Sequence, residues 1–561
     1  MSKIKLVLNS LVIGLFLSNS VEVYATDNPF GTTLTTTLTG ASPLTNEGTI
    51  TGSIWGISNN NNGATIINSG TISVSGANNH GISSYASLSN ITNSGLISVS
   101  GAAAAGIIVW DFNNGGIITN TITGVISNSN SNSVLSAGIV LQNDNSIVNN
   151  YGLITGHHGV LAANSLSTVN NFGRIVGNGG NAIQFQEINN TLNLYKGSVI
   201  VGNINGTNGS RLNIELGSGA SYAFSTTGTW TVSDLDNRPM VTGSAYAAGI
   251  GAQETASEML YQRTSSITSA LDRRLRSYAS DEVDNQPYWL DVYYSDVSRN
   301  SGGNYSTRNA FSNYNYGLTA GFKLPVELTP LELVVNVQQS NLNIDSGSQK
   351  IESTSLMAGV IAPRIAEVLG AKLSAKALVG FANNGGDRKV MTNSLLYDGS
   401  RQIKSDYNST YAVLGTALTK LYAINDRITA DVLVGLDLAT QHINSYSETD
   451  YFAWQGRTLN QLQSRIQVGL DYRFNQNKAS LFARVGAERR DLISGGTQDY
   501  SINGTNVSFN TNNSNDTYIT AQLGIKAQLE KRIQLFGIVN GLHSSDTVSS
   551  IQGNIGLRAD F

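Results

Sequence analysis

A glycine followed two residues later by a β-branched residue recurs seven times in the first half of this chain. The pairs are Gly48/Ile50, Gly70/Ile72, Gly95/Ile97, Gly124/Ile126, Gly152/Ile154, Gly173/Ile175 and Gly197/Val199, with glycine spacings of 22, 25, 29, 28, 21 and 24. Asn stands two residues before the glycine in five of them, at Asn46, Asn68, Asn93, Asn150 and Asn171. A second submotif follows each of the first six pairs: Gly56-Ile57, Gly81-Ile82, Gly106-Ile107, Gly138-Ile139, Gly159-Val160 and Ala182-Ile183. Periods of this length with short apolar runs mean a solenoid. One unit cannot bury its own inward face, so units must stack. The pattern predicts a right-handed parallel β-helix with inward Ile and Val ladders. Gly and Asn take the turns, because both tolerate positive φ, and Asn can bond its neighbour one coil away. Seven coils at roughly 4.8 Å each would make a rod of about 34 Å.

Composition separates this half from the rest. Residues 26–200 carry only seven charged side chains: Asp27, Glu47, Asp111, Asp144, Arg174, Glu187 and Lys196. Such polar, charge-poor sequence is otherwise a signature of disorder, which the register of the glycine pairs opposes. Residues 198–245 read as an end cap of short alternating strands, with Val199, Val201, Ile204, Leu212, Ile214, Leu216 and Val232 apolar and Tyr222 and Trp230 as cap residues. A solenoid needs such a cap, since an open edge invites association.

Charge returns near residue 254, and the period changes with it. From Glu254 to Ser277, Leu260, Ile267, Leu271 and Leu275 recur at helical spacing, and Arg273, Arg274 and Arg276 crowd the C-terminal turn, where the helix dipole favours cations. This helix is too charged to meet lipid and is expected inside a polar pore. Its arginines should face acids such as Asp291, Asp431, Asp437 or Glu488. A soluble linker helix is the alternative.

Twelve candidate strands follow, beginning near Pro287, Asn313, Leu331, Ser353, Ala371, Tyr407, Ile428, Leu462, Lys478, Thr517, Ile533 and Thr547. Ile466, Val468, Leu470, Tyr472 and Phe474, for example, oppose Arg465, Gln467, Asp471 and Arg473. Each is long enough to cross a bilayer at a tilt. The long connections Ser301–Asn313, Asn383–Tyr407, Ser445–Gln461 and Ser494–Asp516 are expected as outer loops, and Pro325–Thr329 and Gln476–Lys478 as periplasmic turns. The final row, Ile551, Gly553, Ile555, Leu557, Ala559 and Phe561, is apolar, while Gln552, Asn554, Arg558 and Asp560 are polar. That is how the closing strand of an outer-membrane barrel reads, with lipid on one side and a wet lumen on the other. At the other end Lys3 and Lys5, the apolar run Leu6 to Leu17 and Val23-Tyr24-Ala25 predict a secretory signal cut after Ala25.

The whole chain has no cysteine and a formal net charge of −4. Disulfide frameworks and cysteine metal sites are therefore excluded, and nothing points to nucleic acid. The expected organisation is an all-β protein: a signal peptide at 1–25, a β-helix at 26–197, its cap at 198–245, a lumen α-helix at 250–280 and a twelve-stranded antiparallel transmembrane barrel at 286–561.

This order of parts resembles the monomeric autotransporters of type V secretion, over essentially the whole chain. The resemblance implies that the barrel is a translocator anchored in outer-membrane lipid, and that the solenoid is its passenger, held at the cell surface or released. It implies Sec export and insertion by the barrel-assembly machinery, which reads a terminal strand such as that of Ile555, Leu557 and Phe561. Residues 199–241 match the family's autochaperone position. Some members cut the chain at an Asn-Asn pair in the lumen helix, and Glu254–Ser277 contains no Asn, which puts that cleavage in doubt here.

Three classes of function compete: an adhesin-like binding rod, an enzymatic passenger, and a plugged pore. The passenger lacks the Gly-Asp-Ser-Gly and Gly-Asp-Ser-Leu motifs of the family's protease and lipase passengers. Its histidines are His80, His157 and His158, and His157-His158, flanked by glycines, reads as a turn. Trp110, Phe112, Tyr85 and Tyr151 are candidates for a ligand-binding stripe, on a host or neighbouring-cell surface ligand, or for stacked core rings. No catalytic, metal or cofactor residues are assigned. The residues expected to matter are Gly48, Ile50, Gly70, Ile72, Gly95, Ile97, Gly152, Ile154, Gly173 and Ile175 in the ladders, Leu260, Leu271, Arg273, Arg274 and Arg276 in the helix, and Ile555, Leu557 and Phe561 in the last strand.

Overall fold

The fold is described from a computed structural model. It covers residues 25–559 apart from 53, 111–114, 131, 134–135, 216–220, 236–239, 242–244, 281–286, 301–308, 327–328, 345–347, 449–451, 475–477, 503, 512–514, 531 and 546. The signal segment, Phe561, Asp111 and Phe112 lie outside the described residues.

The N-terminal half is a parallel solenoid with three inward ladders. Ile50, Ile72, Ile97, Ile126, Ile154 and Ile175 pair coil to coil along one wall. Ile57, Ile82, Ile107, Ile139, Val160 and Ile183 form the second. A third runs from Leu44 through Ile66, Ile91, Ile118, Val148, Val169, Leu192 and Leu212 to Val232. In the short strand Thr65–Asn68, for example, Ile66 and Asn68 face inward and Thr65 and Ile67 outward. The ladder side chains are almost fully buried and form one continuous core.

Asparagine supplies the polar spine. Asn28, Asn46, Asn68, Asn93, Asn120, Asn150 and Asn171 are all buried, and each Nδ2 donates to the next Oδ1 at 2.6–2.9 Å. A buried amide left alone is costly, so only a closed chain of donors and acceptors is stable here. The glycines beside this spine are there for close approach. A Cβ on Gly70 would lie 2.1 Å from the Gly48 carbonyl, and one on Gly95 2.0 Å from that of Gly70.

Two features of this half differ from the expectation. Residues 199–234 are solenoid, not a separate cap: Val199–Ile214 and Thr226–Asp234 pair in parallel with each other, and Val199–Ile214 with the coil before. At Gly197/Val199 the register slips by one. Ser198 N donates to the Tyr195 carbonyl, Gly197 takes φ +86°, and Ile200 rather than Val199 stacks on Ile175. With a side-chain period of two, a one-residue turn difference moves Val199 to the outer face. Of the two rings assigned to the cap, Trp230 packs against Phe185 at 5.6 Å within the solenoid. Tyr222 is buried beside Phe224, at the solenoid's C-terminal end.

Helix α1, Gly251–Ala279, runs a few residues past the periodic stretch Glu254–Ser277 at each end and falls within the expected 250–280. The barrel strands are β1 Tyr288–Arg299, β2 Phe311–Leu324, β3 Leu331–Ile344, β4 Gln349–Val368, β5 Ala371–Thr392, β6 Ser400–Ala423, β7 Ile428–Ile443, β8 Arg457–Phe474, β9 Ala479–Ser494, β10 Asp516–Glu530, β11 Ile533–Ser544 and β12 Val548–Ala559. Neighbours pair antiparallel throughout, and β1 closes on β12 from Tyr288↔Ala559 to Arg299↔Val548. Closure removes both sheet edges.

The long connections are more ordered than expected. Asn383–Tyr407 is not a loop: β5 and β6 run on together to Met391↔Ser400, and only residues 393–399 turn. Parts of Ser445–Gln461 and Ser494–Asp516 form their own sheet from Tyr446–Ser447, Phe452–Trp454, Thr497–Ile502 and Thr505–Asn510. Beyond lipid a strand carries polar residues on both faces, so its sequence loses the alternation that marks a membrane strand.

Candidate functional site

The barrel alternates as a membrane strand must. Ile466, Val468, Leu470 and Tyr472 on β8 point outward and are exposed, as are Ile551 and Ile555 on β12, while Asn554 and Arg558 face inward and are buried. Leu557 is half-buried and Ile555 is 72% exposed on the outer wall.

Helix α1 fills the lumen. Its Leu260, Ile267 and Leu271 rest on an apolar strip of wall that includes Val334, Met357, Leu378 and Val413. Its charged side chains meet the remaining wall. Arg273 pairs with Asp291 on β1. Arg274 reaches Glu332 on β3 at 2.6 Å, and the other oxygen of that carboxylate accepts from Trp289 Nε1 at 2.9 Å. Arg276 Nε donates to Asp431 on β7 at 2.7 Å, and its Nη2 to Gln467 on β8 at 2.6 Å. Asp272 takes a two-pronged bond from Arg465 at 2.7 and 2.8 Å, and Arg465 is bound in turn to Asp437. Nearer the long-loop end Glu258 pairs with Arg490 and accepts from Tyr518, while Tyr261 donates to Glu488 at 2.6 Å.

Such buried pairs hold position more than they add stability. Each ion is costly to desolvate, and its removal strands the partner. Together they fix the helix at a defined depth and rotation. A polar space remains on one side of it, between Ser265, Ser266 and Ser269 of α1 and Gln522, Asn540 and Gln552 of the wall.

Of the acids expected to face the three arginines, Asp291 and Asp431 do so. Asp437 and Glu488 instead bind Arg465 and Tyr261. Glu332, Asp272, Lys376 and Arg465 were not singled out from the sequence. Their signal is parity: Glu332 shares the inward row of β3 with Val334, Asn336 and Gln338, all buried.

Above the lumen the chain passes through a second polar junction. Arg388 on β5, 1% exposed, donates through Nη1 to Ser221 Oγ and to the Gly249 carbonyl, both at 2.8 Å. Its Nη2 lies 3.0 Å from Glu448, and its guanidinium stands over Trp454. Glu448 and Trp454 belong to the connection between β7 and β8, so this arginine ties barrel, loop sheet and exiting chain together.

In the solenoid the candidate aromatics form two stacks. Trp55, Tyr85 and Trp110 lie in one, with ring centroids 5.6 and 5.4 Å apart. Tyr151, Phe172 and Tyr195 make the other, at 4.6 and 3.9 Å. His80 Nδ1 accepts from Ala105 N, and His158 Nδ1 from Asn181 N. Burial holds the His80 ring down to about 4. Among the described residues no three His, Asp or Glu side chains gather as metal ligands would.

Residues 288–540 match the family model described as "Autotransporter beta-domain". The barrel of this chain is an autotransporter β-domain. The solved structures similar to it include the translocator domain of the autotransporter NalP from Neisseria meningitidis, 17% identical over 54% of this chain and 98% of that one, with a TM-score of 0.39. The β domain of the Bordetella autotransporter BrkA is 10% identical over 49% and 99%, with a TM-score of 0.37. The transport unit of AIDA-I from Escherichia coli is 12% identical over 50% and 92%, with a TM-score of 0.33. No curated protein matches the chain. As an autotransporter barrel it sits in the outer membrane, with the short turns periplasmic and the long-loop end outward. Its helix therefore runs inward from the outer mouth at Gly251 to the periplasmic end at Ala279.

Proposed function

We propose that this autotransporter carries its solenoid across the outer membrane and holds it at the cell surface as an adhesin-like binding rod. The observation that carries the reading is the path of the backbone. Helix α1 begins at the outer mouth, and the preceding residues, Ala245–Ala248, pair with Ser221–Phe224 beside the last coils. Passenger and anchor are thus one continuous chain through the pore. Export by Sec and insertion by the barrel-assembly machinery are part of the proposal, as is a passenger that works by binding and not catalysis. Two features support binding. The histidines are occupied in packing, and the rod presents rows of Asn, Ser and Thr with aromatic stacks beside them.

Protease added to intact cells tests the display. The expected result is loss of the solenoid and survival of a heat-modifiable fragment starting near Glu254. Full-length protein that survives on intact cells, and is digested once they are permeabilised, would refute it. The binding role is read separately: cells displaying the rod gain attachment to one another or to a surface. Hydrolytic turnover lost on substituting one solenoid residue, such as His158, would make the passenger an enzyme.

A further inference from the structure

Arg273, Arg274 and Arg276 of α1 each find a carboxylate, and so do Arg388, Arg465 and Arg490 of the wall. Two other arginines do not. Among the described residues, neither Arg263 of α1 nor Arg457 at the start of β8 has a carboxylate within 4.0 Å, although the two are only 5% and 6% exposed. Arg263 donates through Nη2 to Ser353 Oγ at 2.8 Å and lies over the ring of Tyr411, 4.6 Å from its centroid. Arg457 donates through Nη2 to the Gln253 carbonyl at 2.9 Å. Arg263 Nε, and both Nε and Nη1 of Arg457, are buried without a hydrogen-bond partner. Burying a lone charge is expensive, and a guanidinium cannot shed its proton to escape the cost.

Both arginines line one cavity of about 50 Å³ between the outer half of α1 and the wall. A single water needs roughly 10–15 Å³. Among the described residues no carboxylate lines this cavity. Its other polar groups can donate. Ser409 Oγ accepts from Asn384 Nδ2 at 2.8 Å, which leaves its own proton for the cavity. The buried amide oxygens of Gln253 and Gln441 have no donor, while their Nε2 groups are bonded to the hydroxyls of Tyr446 and Tyr411. A half-turn of either amide lets its oxygen accept from that hydroxyl and offers the NH₂ to the cavity instead. The first turn of α1 also borders the space and brings the positive end of the helix dipole. Glu254 of that turn is engaged elsewhere, by Arg299 and Asn309.

We propose that this cavity binds one small inorganic anion, of the class of chloride or phosphate, as the shared counter-ion of Arg263 and Arg457. Charge-assisted bonds from two guanidinium groups on different elements suit such a ligand. The anion fastens the outer half of α1 to β8, as ion pairs fasten its inner half to β1, β3 and β7. The site belongs to the barrel and its helix, and is independent of what the solenoid does.

The experiment heats the full-length protein in detergent at one ionic strength. Gluconate, too bulky for the cavity, is replaced stepwise by chloride or by phosphate, and loss of the heat-modifiable form gives the midpoint. A ligand that binds only the folded state raises its stability with concentration. The wild-type midpoint should therefore rise with at least one of the two anions, following a binding curve. Arg263→Gln and Arg457→Gln each remove a charge-assisted bond, which should weaken the apparent affinity about tenfold or more. Arg489→Gln, which removes an exposed arginine paired with Asp491, should leave it unchanged. A midpoint that ignores the exchange of gluconate, or that responds equally in wild type and both cavity variants, would overturn the proposal and leave the cavity to water. Where neither cavity variant assembles, crystals of the wild type grown with the heavier congener of the effective anion, bromide or arsenate, decide. An anomalous peak beside Arg263 and Arg457 upholds the site, and its absence there refutes it.

Discussion

Arg276 Nε meets Asp431 Oδ1 at 2.7 Å inside the barrel, close to the periplasmic end of the lumen. The same carboxylate accepts Arg484 from β9 at 3.0 Å. One acid thus neutralises two arginines and fastens the helix to the wall. Asp431→Asn would leave two guanidinium groups facing each other. Losing one partner of a buried pair costs about 3–5 kcal/mol. The expected outcome is a loosened helix end and higher conductance of the full-length protein in planar bilayers, with Arg276→Ala acting in the same direction. Unchanged conductance in both variants would mean that the other ion pairs and the apolar strip under Leu260, Ile267 and Leu271 hold the plug without this contact.

The asparagine spine predicts a positional gradient. Asn120→Leu removes the buried bonds to Asn93 and Asn150: Asn150 Oδ1 loses its donor, while Asn93 Nδ2 keeps the Gly95 carbonyl at 3.1 Å. With ~1–3 kcal/mol for the unsatisfied oxygen and about 1 kcal/mol for the other lost bond, the solenoid should lose roughly 2–4 kcal/mol. Asn171→Leu breaks the bond from Asn150 and a 3.3 Å bond to the Val199 carbonyl, but Asn150 Nδ2 keeps the Arg174 carbonyl and Leu is placed against Leu194, so its cost should be about 1 kcal/mol. Denaturant midpoints of the passenger transition compare the two. Equal losses would show that the ladder is not cooperative.

Glycine columns give a sharper contrast than any propensity argument. Gly95→Ala would force its Cβ to within 2.0 Å of a backbone carbonyl that is itself held in the next coil. Neither chain can yield without breaking parallel pairing, so the passenger of this variant should be protease-sensitive at the surface. Gly553→Ala on β12 meets nothing within 4 Å and should leave the barrel's heat-modifiability intact. A protease-resistant Gly95→Ala passenger would show that the coils can move apart at that corner.

What could be read from the sequence was whatever repeats. The Gly-x-Ile pairs exposed two of the three ladders, and the third went unseen because Leu44, Ile66 and Ile91 precede their turns without a glycine marker. Asn120 was missed as a spine residue because four residues, not two, separate it from Gly124. The strands crossing lipid announced themselves by alternation, whereas the outer run of β5 and β6 did not, being polar on both faces. Arg273 and Arg276 could be matched to Asp291 and Asp431 by charge and rough height alone. Glu332, 58 residues from Arg274, could not, because that contact depends on how the strands stagger as the barrel closes. The same holds for Arg457, whose importance comes from a cavity shared with Arg263 that no local pattern encodes.

His80 gives the passenger a pH dependence of predictable sign. Its ring is buried, accepts a bond from Ala105 N at 2.9 Å and packs edge-on to Trp110, so the folded chain prefers it neutral, with a value of about 4 against 6.5 when free. Between those values the unfolded chain binds a proton that the folded one refuses. Stability therefore rises with pH across the window, is complete above about 6.5, and is lost as the pH falls toward 4. Each unit corresponds to ~1.4 kcal/mol. At pH 5 the solenoid should be roughly 2 kcal/mol less stable than at pH 7 from this residue alone. His80→Asn keeps an acceptor near Ala105 N but cannot take the proton. Denaturant midpoints of the passenger transition at pH 5 and pH 7 should differ clearly in the wild type and much less in this variant. An identical pH slope in both proteins would assign the dependence to other groups and show that the His80 ring is solvated in the native solenoid.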